Sequence, residues 1–294
     1  MKRYNLFLIL SFLSLNTFAQ NSGQYVKSNL PEGKQWELVW HDEFDGNALD
    51  TTKWGFRLHI MQKRHQTFTT EGVEVKNGLL YLNLIEKEGQ YYSPHLQTGE
   101  NYMDRPYVVH PSGMSWPIAE LKPHKFVHKY GYYEIRCKFQ EQPGWWSAFW
   151  LQSPTIGSSL DPSISGVEID IMENMNRDNK IRQNVIWGGY GKNHKSNSSG
   201  DFSVDELLED SPDGFHTFGL YWSKSGYIFY VDGKESRRVD GPVSNVEQFI
   251  LVSTECRGYR RGNRDQPSDE LKEAILPDAF IVDYVRVFDE VTDK

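Results

Sequence analysis

Cysteine is scarce in this sequence, whose 294 residues include only Cys137 and Cys256. Two cysteines in a chain of this length do not make a disulfide framework, and sequence spacing cannot show whether they lie within bonding distance. We expect two buried free thiols, with a single disulfide as the alternative. The sequence has no CxxC pair and no cluster of cysteine with histidine, so it offers no zinc site.

Positive charge is outweighed by negative charge. The chain has 32 lysine and arginine residues against 40 aspartate and glutamate residues, which gives a formal net charge of -8. A protein of this charge repels nucleic acid and anionic membrane surfaces. We therefore expect neither nucleic acid nor membrane lipid as a partner, and we expect the protein to act as a monomer.

Long apolar runs are missing beyond the first twenty residues. Residues 6–15 form an apolar stretch broken only by serines, behind Lys2 and Arg3, and this stretch is too short to span a bilayer. Small residues then lead to Ala19, as at a signal-peptide cleavage site. We predict that residues 1–19 are a signal peptide, that residues 20–35 form a linker and that the mature protein is secreted.

Helical periodicity is limited to residues 204–209 and 268–274. From Trp36 onward the chain shows short strands separated by turn residues, and residues 132–139 alternate strictly between the two sides of a strand. Many short strands with little helix predict an all-β sandwich or barrel. Residues 91–115 are polar and too numerous for a bare connection, so we predict a functional loop at the edge of the sandwich.

The strongest local signal is a run of carboxylates within an apolar strand. Glu168 and Asp170 share one face of such a strand, while Glu173 has the opposite parity. One additional residue, a β-bulge near Ile171 and Met172, would return Glu173 to the shared face. Three like charges on one face repel one another and raise the pKa of at least one carboxyl.

Paired carboxyl groups about 5–5.5 Å apart are what a retaining glycoside hydrolase requires. One group attacks the anomeric carbon, and the other acts first as an acid and then as a base. An aspartate between them would hydrogen-bond the attacking group. A solvated acidic strand face or a cation site fits the same spacing, because a short carboxylate pattern is not specific.

Ordered matches over most of the chain, from about Trp36 to Asp289, add specificity to this pattern. Residues 168–173 resemble the E-x-D-x-x-E signature of glycoside hydrolase family 16. Other stretches that resemble strands of this family are residues 36–46, 130–136, 144–150, 215–222, 229–234 and 282–287. The x-x spacing is that of the bulged branch, which includes laminarinases, agarases, porphyranases and carrageenases, whereas lichenases and xyloglucan transferases carry E-x-D-x-E.

The resemblance implies a jelly-roll β-sandwich of two antiparallel sheets with an open concave cleft, over residues 36–290. It also implies endo-acting, retaining cleavage of a β-linked polysaccharide without a cofactor for catalysis. Carried onto this chain, it makes Glu168 the nucleophile, Asp170 the supporting carboxylate and Glu173 the general acid/base. A β-galactan of agar or porphyran type and a β-1,3-glucan are both candidate substrates. A non-catalytic carbohydrate-binding sandwich and a transglycosylase on the same triad are the alternative functions.

Aromatic residues make up 14% of the chain, and an indole face covers the C–H patch of a sugar ring well. By alternation Trp146, Ala148 and Trp150 share one strand face, which the family pattern puts on the cleft. We predict substrate contacts for Trp146, Trp150 and Trp187, with core packing as the alternative for each. His216 is expected either beside the acid/base or in the core as a hydrogen-bonded histidine.

Two basic stretches stand out in this acidic chain. Arg57, Lys63 and Arg64 form one, and residues 255–264 with Arg257 form the other. At the rim of a cleft, such arginines would bind the substrate by pairing with sulfate on an algal galactan. The alternative is that both stretches are solvated loops.

Three more positions follow from the resemblance. Ile186 stands where many relatives carry a histidine before a tryptophan, so one polar contact to the substrate is expected to be missing or moved. Glu43 and Asp283 match positions that ligate a structural calcium ion in some relatives, and oxygen ligands suit calcium. The alternative for both residues is a surface carboxylate.

Overall fold

The computed structural model of this chain describes residues 25–60, 63–102, 122–175, 178–259 and 265–292, so the predicted signal peptide lies outside the described residues. Twenty strands and two single-turn helices are found in these ranges. The strands are β1 Gln35–Asp42, β2 Gly55–Phe56, β3 His59–Ile60, β4 Lys63–Arg64, β5 Phe68–Thr69, β6 Val73–Lys76, β7 Leu79–Asn83, β8 Ile85–Lys87, β9 Gln90–Gln97, β10 Gly131–Lys138, β11 Trp145–Gln152, β12 Glu168–Asn174, β13 Lys180–Trp187, β14 Lys195–Ser198, β15 Phe202–Ser203, β16 His216–Ser223, β17 Gly226–Val231, β18 Lys234–Val239, β19 Phe249–Cys256 and β20 Ala279–Val291. The helices are α1 Pro162–Ser165 and α2 Asp269–Lys272.

Most of the strands belong to two large sheets. The first has the order β18-β17-β16-β10-β20-β7-β6, with β1 also paired to β20. The second has the order β14-β13-β12-β11-β19-β9-β2, with β5, β8 and β15 attached at its sides. The pairing is antiparallel apart from β5 with β9, and β3 and β4 form a separate hairpin. This confirms the predicted all-β sandwich of two sheets.

The hydrophobic core lies between the two sheets and follows from strand alternation. In β10, Tyr133, Ile135 and Cys137 point inward and are buried, as the strict alternation of this stretch predicts. The thiols of Cys137 and Cys256 are both buried and free, and they belong to different sheets. Burial raises the pKa of the Cys256 thiol to about 12, so it stays protonated and unreactive.

Two sequence-based predictions about local structure are wrong. Residues 91–97 of the predicted edge loop belong to strand β9, whose alternate polar side chains, Ser93, His95 and Gln97, are buried, and residues 103–115 of that loop lie outside the described residues. These polar residues suggested a loop because sequence alone cannot distinguish a solvated turn from a strand with a buried polar face. Residues 205–207 form a turn and not the predicted helix, whereas residues 269–272 of the second helical pattern form α2, which Ser268 caps.

The segment before β1 packs on the outer face of the first sheet. The backbone N–H of Asn29 donates to Glu134 at 2.9 Å, and the Arg286 guanidinium donates to the Ser28 hydroxyl at 2.8 Å. Residues 25–34, which fall in the predicted linker, therefore contribute to the folded unit. No helix in the described ranges is long and apolar enough to cross a membrane.

Candidate active site

The carboxylates of the predicted motif lie on β12, in the middle of the second sheet. One residue of this strand pairs with no residue of the two neighbouring strands. Along β11, Trp150 pairs with Asp170, but the adjacent Phe149 pairs with Met172. The register therefore slips by one residue, and Ile171 is the additional residue. This is the β-bulge that the parity of the sequence requires.

The strand on the other side of β12 shows the same slip. Asp170 pairs with Asn184, while Glu173 pairs with Arg182, so three steps along β12 match two steps along β13. The slip on both sides returns Glu173 to the face that carries Glu168 and Asp170. All three carboxyl groups line one cavity of about 680 Å³ on the outer face of the second sheet.

Strand β11 supplies the floor of this cavity next to the carboxylates. Trp146, Ala148, Trp150 and Gln152 all line it, as alternation along the strand predicts. Phe149, of opposite parity, is buried in the core between the sheets. The indole Nε1 of Trp150 donates to the Ser253 hydroxyl at 3.0 Å, which fixes the orientation of the ring.

The pKa of the Asp170 carboxyl group is strongly perturbed. Burial, and then the negative charges of Glu173 and Glu168, raise its pKa well above the usual range. The side-chain Nδ2 of Asn184 opposes this shift, since it donates to Asp170 at 2.7 Å and to Glu173 at 2.8 Å. Asn184 thereby links the middle carboxyl group to the last one.

Glu168 receives hydrogen bonds from two neutral side chains. The amide Nε2 of Gln152 donates to its Oε2 at 2.9 Å, and the Tyr190 hydroxyl donates to the same oxygen. Burial raises the pKa of Tyr190 well above its usual range, so the phenol stays protonated and acts as a donor. The sequence analysis missed Gln152, Asn184 and Tyr190; only Gln152 had a signal, its parity with Trp150.

The first basic stretch lies at the cavity. Arg57, Lys63 and Arg64 all line it, together with His65. The Arg57 side chain is buried, and its guanidinium carbon lies 5.3 Å from the centre of the Trp150 ring. A buried cation stacked on an indole is held in place by both packing and charge.

The second basic stretch does not bring its arginine to the site. Arg257 lies outside the cavity lining and forms an ion pair with Glu270 at 2.7 Å. The charge of Arg257 is thus directed to a neighbouring helix, and its role in substrate binding stays a prediction. Residues 260–264 of this stretch lie outside the described residues, while Tyr259 and Asp265 on either side of them line the cavity.

Two aromatic predictions also need correction. Trp187 packs against the core between the sheets, because its neighbour Ile186 pairs with Glu168 and holds the cleft face. His216 lies on β16 in the other sheet, where its Nδ1 is 2.7 Å from Asp232. The alternatives stated for these residues, core packing and a hydrogen-bonded histidine, describe them correctly.

The carboxylates predicted to bind calcium are already neutralised. Glu43 accepts two hydrogen bonds from Arg286, at 2.8 and 2.7 Å. Asp283 accepts from Arg136 at 2.6 Å. These residues do not fit a calcium site, because a guanidinium occupies the oxygens that a cation would need. Among the side chains that the structure describes, no group of three or more His, Cys, Asp or Glu is arranged to hold a metal ion.

Comparison with known proteins agrees with this geometry. A family model described as Beta-porphyranase A-D, GH16 domain, matches residues 36–289. Beta-porphyranase B of Phocaeicola plebeius is 25% identical over 88% of this chain and 86% of its own length. Glucan endo-1,3-beta-glucosidase A1 of Niallia circulans is 24% identical over 86% of this chain, which spans only 38% of that relative.

The fold is similar to that of a solved laminarinase catalytic domain from Thermotoga petrophila, with a TM-score of 0.61 and 23% identity. The match covers 88% of this chain and all of that domain. The match to the family model covers most of the chain, and the structure brings the three motif carboxylates into one cavity. The chain therefore belongs to glycoside hydrolase family 16, a family of retaining glycoside hydrolases.

Proposed function

We propose that this protein is an endo-acting hydrolase of a sulfated β-galactan of porphyran type, with Glu168 as nucleophile and Glu173 as general acid/base. The observation that carries the proposal is the joint lining of one cavity by both glutamates and by the basic residues Arg57, Lys63 and Arg64. A neutral glucan carries no negative charge for the basic residues to bind.

The mechanism follows from two carboxyl groups on one face of β12. Glu173 first donates its proton to the glycosidic oxygen while the Glu168 carboxylate attacks the anomeric carbon and forms a covalent glycosyl-enzyme. Glu173 then takes a proton from water, the water attacks the same carbon, and the bond to Glu168 breaks. Asn184 and Asp170 hold Glu173 by hydrogen bonding and by charge. Two inversions at the anomeric carbon give a product with retained β-configuration.

The substrate assignment rests on the charge and shape of the cavity. Trp146 and Trp150 offer indole surface to sugar rings, and Arg57 offers a planar guanidinium suited to two oxygens of a sulfate group. Arg57 is buried, so its charge acts through a medium of low dielectric constant and is strong. The family model and the similarity to Beta-porphyranase B support the same substrate.

A laminarin-type β-1,3-glucan is the second candidate. The similarity to Glucan endo-1,3-beta-glucosidase A1 favours it, and so does the fold shared with a laminarinase domain. Ile186, next to Glu168 on the cleft face, would be compatible with either polymer, since it offers no polar contact.

Secretion, to the periplasm or the cell exterior, is part of the proposal and rests on the signal-peptide pattern of residues 1–19. Residues 1–19 are proposed to be removed as a signal peptide, and residues 36–290 to form the catalytic domain. Determination of the N-terminal residue of the exported protein tests the first point, with cleavage after Ala19 as the expected result.

A digestion panel of porphyran, agarose, κ-carrageenan, laminarin and lichenan tests the function. We expect porphyran to be cut to oligosaccharides, the β-anomer to appear first by proton NMR, and both Glu168→Ala and Glu173→Ala to abolish cleavage. Cleavage of laminarin but not porphyran would reject the substrate, and an initial α-anomer would reject retention.

The role of Arg57 is tested by Arg57→Met on sulfated porphyran and unsulfated agarose. Loss of a charged hydrogen bond should lower kcat/KM on porphyran about 10- to 100-fold without the same loss on agarose. Arg238→Met is the matched control, because Arg238 lies on β18 and pairs with the exposed Glu235. Equal losses on both polymers would contradict sulfate binding by Arg57.

A further inference from the structure

Two side chains outside the E-x-D-x-x-E motif converge on one oxygen of Glu168. The Gln152 amide and the Tyr190 hydroxyl both donate to Oε2, and the same amide also donates to the Tyr190 hydroxyl. We propose that Tyr190 and Gln152 are positioning residues that hold the Glu168 carboxylate for attack and stabilise it as the leaving group of the second step. This inference rests on the proposed role of Glu168 as nucleophile.

A hydrogen bond from Asn101 fixes the orientation of the Gln152 side-chain amide. The side-chain Nδ2 of Asn101 donates to its Oε1 at 2.6 Å, and both side chains are buried. An amide whose oxygen accepts from Asn101 must turn its nitrogen toward Glu168. Gln152 is therefore a directed donor, held in place before a substrate arrives.

The loop after β13 is built to bring Tyr190 back to the cleft. Trp187, the last residue of β13, faces the core, and Gly188 and Gly189 then both adopt φ of 75°. A Cβ atom on Gly188 would lie 2.2 Å from the carbonyl oxygen of Asn193, so a side chain there would collide with the loop. The backbone N–H of His194 closes the loop by donating to Gly191 at 3.1 Å. The reversal turns Tyr190 toward the cavity on the other face of the sheet.

Neutral donors suit a carboxylate that must both attack and leave. A hydrogen bond to the ionised form favours that form, so Tyr190 and Gln152 keep Glu168 deprotonated among like charges. In the second step, the glycosyl–oxygen bond breaks, its electron pair returns to the Glu168 carboxylate, and the proton of the attacking water passes to Glu173. Both hydrogen bonds strengthen as this negative charge returns, and this lowers the barrier.

The test is the pH dependence of porphyran cleavage by Tyr190→Phe. Glu168 must be ionised to attack, so its protonation sets the acid limb of kcat/KM. Loss of one charged hydrogen bond should lower kcat/KM about 10- to 100-fold and move the acid limb about one pH unit higher. Tyr130→Phe is the matched control, because the Tyr130 hydroxyl donates to Asn245 and neither residue is in the cavity lining; the acid limb of this variant should stay in place.

A second variant protects the test against partial unfolding. Gly188→Ala displaces the loop but keeps the phenol, and it should shift the acid limb in the same direction. A folded fraction that is the same at every pH does not move the limb, and tryptophan fluorescence over the same pH range shows whether acid unfolding has moved it. A wild-type acid limb in both Tyr190→Phe and Gly188→Ala would overturn the inference.

Failure of the proposed function has a different signature. Glu168→Gly should be inactive and should form an α-glycosyl azide when azide is added, because azide replaces the missing nucleophile from the same side. Activity of Glu168→Gly without azide would reject Glu168 as nucleophile and with it the whole proposal. Azide rescue together with an unchanged acid limb in both Tyr190→Phe and Gly188→Ala would reject the positioning role alone.

Discussion

Deletion of Ile171 tests whether the bulge on β12 sets the face on which Glu173 lies. Without this residue both neighbouring strands regain a regular register, since Met172 would still pair with Phe149, and Glu173 with Ala148. The glutamates would then follow E-x-D-x-E spacing, in which alternation alone puts both on one face. We expect the deletion variant to fold and to keep measurable hydrolysis.

The expected cost of the deletion is a loss of stability. Ile171 is fully buried in the core between the sheets, and removal of a buried aliphatic side chain costs about 2–5 kcal/mol. For a domain of this size each kcal/mol lowers the unfolding temperature by roughly 2–4 °C. The variant should therefore unfold roughly 5–15 °C below the unmutated protein, which scanning calorimetry measures directly.

The opposite change provides the control. Insertion of one alanine between Ile171 and Met172 leaves Glu173 on the same face of a regular strand but moves it one two-residue repeat, roughly 7 Å, farther from Glu168 than in the deletion variant, so we expect no hydrolysis by this variant. The measurement is reducing-sugar release from porphyran by the unmutated protein, the deletion variant and the insertion variant, at a temperature where each is folded. Hydrolysis by the insertion variant, or a folded deletion variant with no activity, would refute the link between register and catalysis.

Three further predictions concern the charges and aromatic residues of the site. Asp170→Asn should inactivate the enzyme yet stabilise the fold, because folding raises the pKa of Asp170 above its ordinary value of 3.8. The favourable contribution of the Asp170 carboxyl group to the free energy of unfolding is complete below pH 3.8, and it is lost as the pH rises through the raised pKa of the folded state. Unfolding temperatures of the two proteins should therefore converge at acid pH and diverge toward neutral pH, and a constant difference would contradict this. Trp146→Ala should raise KM for polysaccharide, because Trp146 lines the cavity. Trp187→Ala should leave KM unchanged and lower the unfolding temperature by the equivalent of about 3–5 kcal/mol, because Trp187 packs against the core. A raised KM in Trp187→Ala without a loss of stability would show instead that Trp187 lies in the cleft. EDTA should leave the unfolding temperature unchanged, because Arg286 and Arg136 neutralise Glu43 and Asp283, and a decrease that calcium reverses would show a metal site.

Alternation along strands accounts for most of what could be predicted locally. It identified the inward side of β10, the residues that share one face of β11 and the need for a bulge between Asp170 and Glu173, while the resemblance to the family assigned that face of β11 to the cleft. Each of these follows from side chains that alternate across a strand, which is a property of neighbours in sequence. The same rule did not identify β9, because its buried polar residues gave the composition of a loop.

Residues that act from another element gave no such signal. Trp187 and His216 were assigned from the resemblance, but the sheet to which a strand belongs and the face it turns inward decide their contacts. Asn184 reaches Asp170 only through strand pairing, and Tyr190 reaches Glu168 only through the turn after β13.

The sequence by itself determined the all-β class, the three motif carboxylates and their common strand face, because these depend on local alternation and on a motif of six residues. Tertiary structure alone decided which cations meet the carboxylates: Arg57 stacks on Trp150 in the cavity, while Arg257 pairs with Glu270 outside it. The reason is physical. A charge in sequence can be solvated, paired or directed at a substrate, and only the packing of distant segments selects among these states.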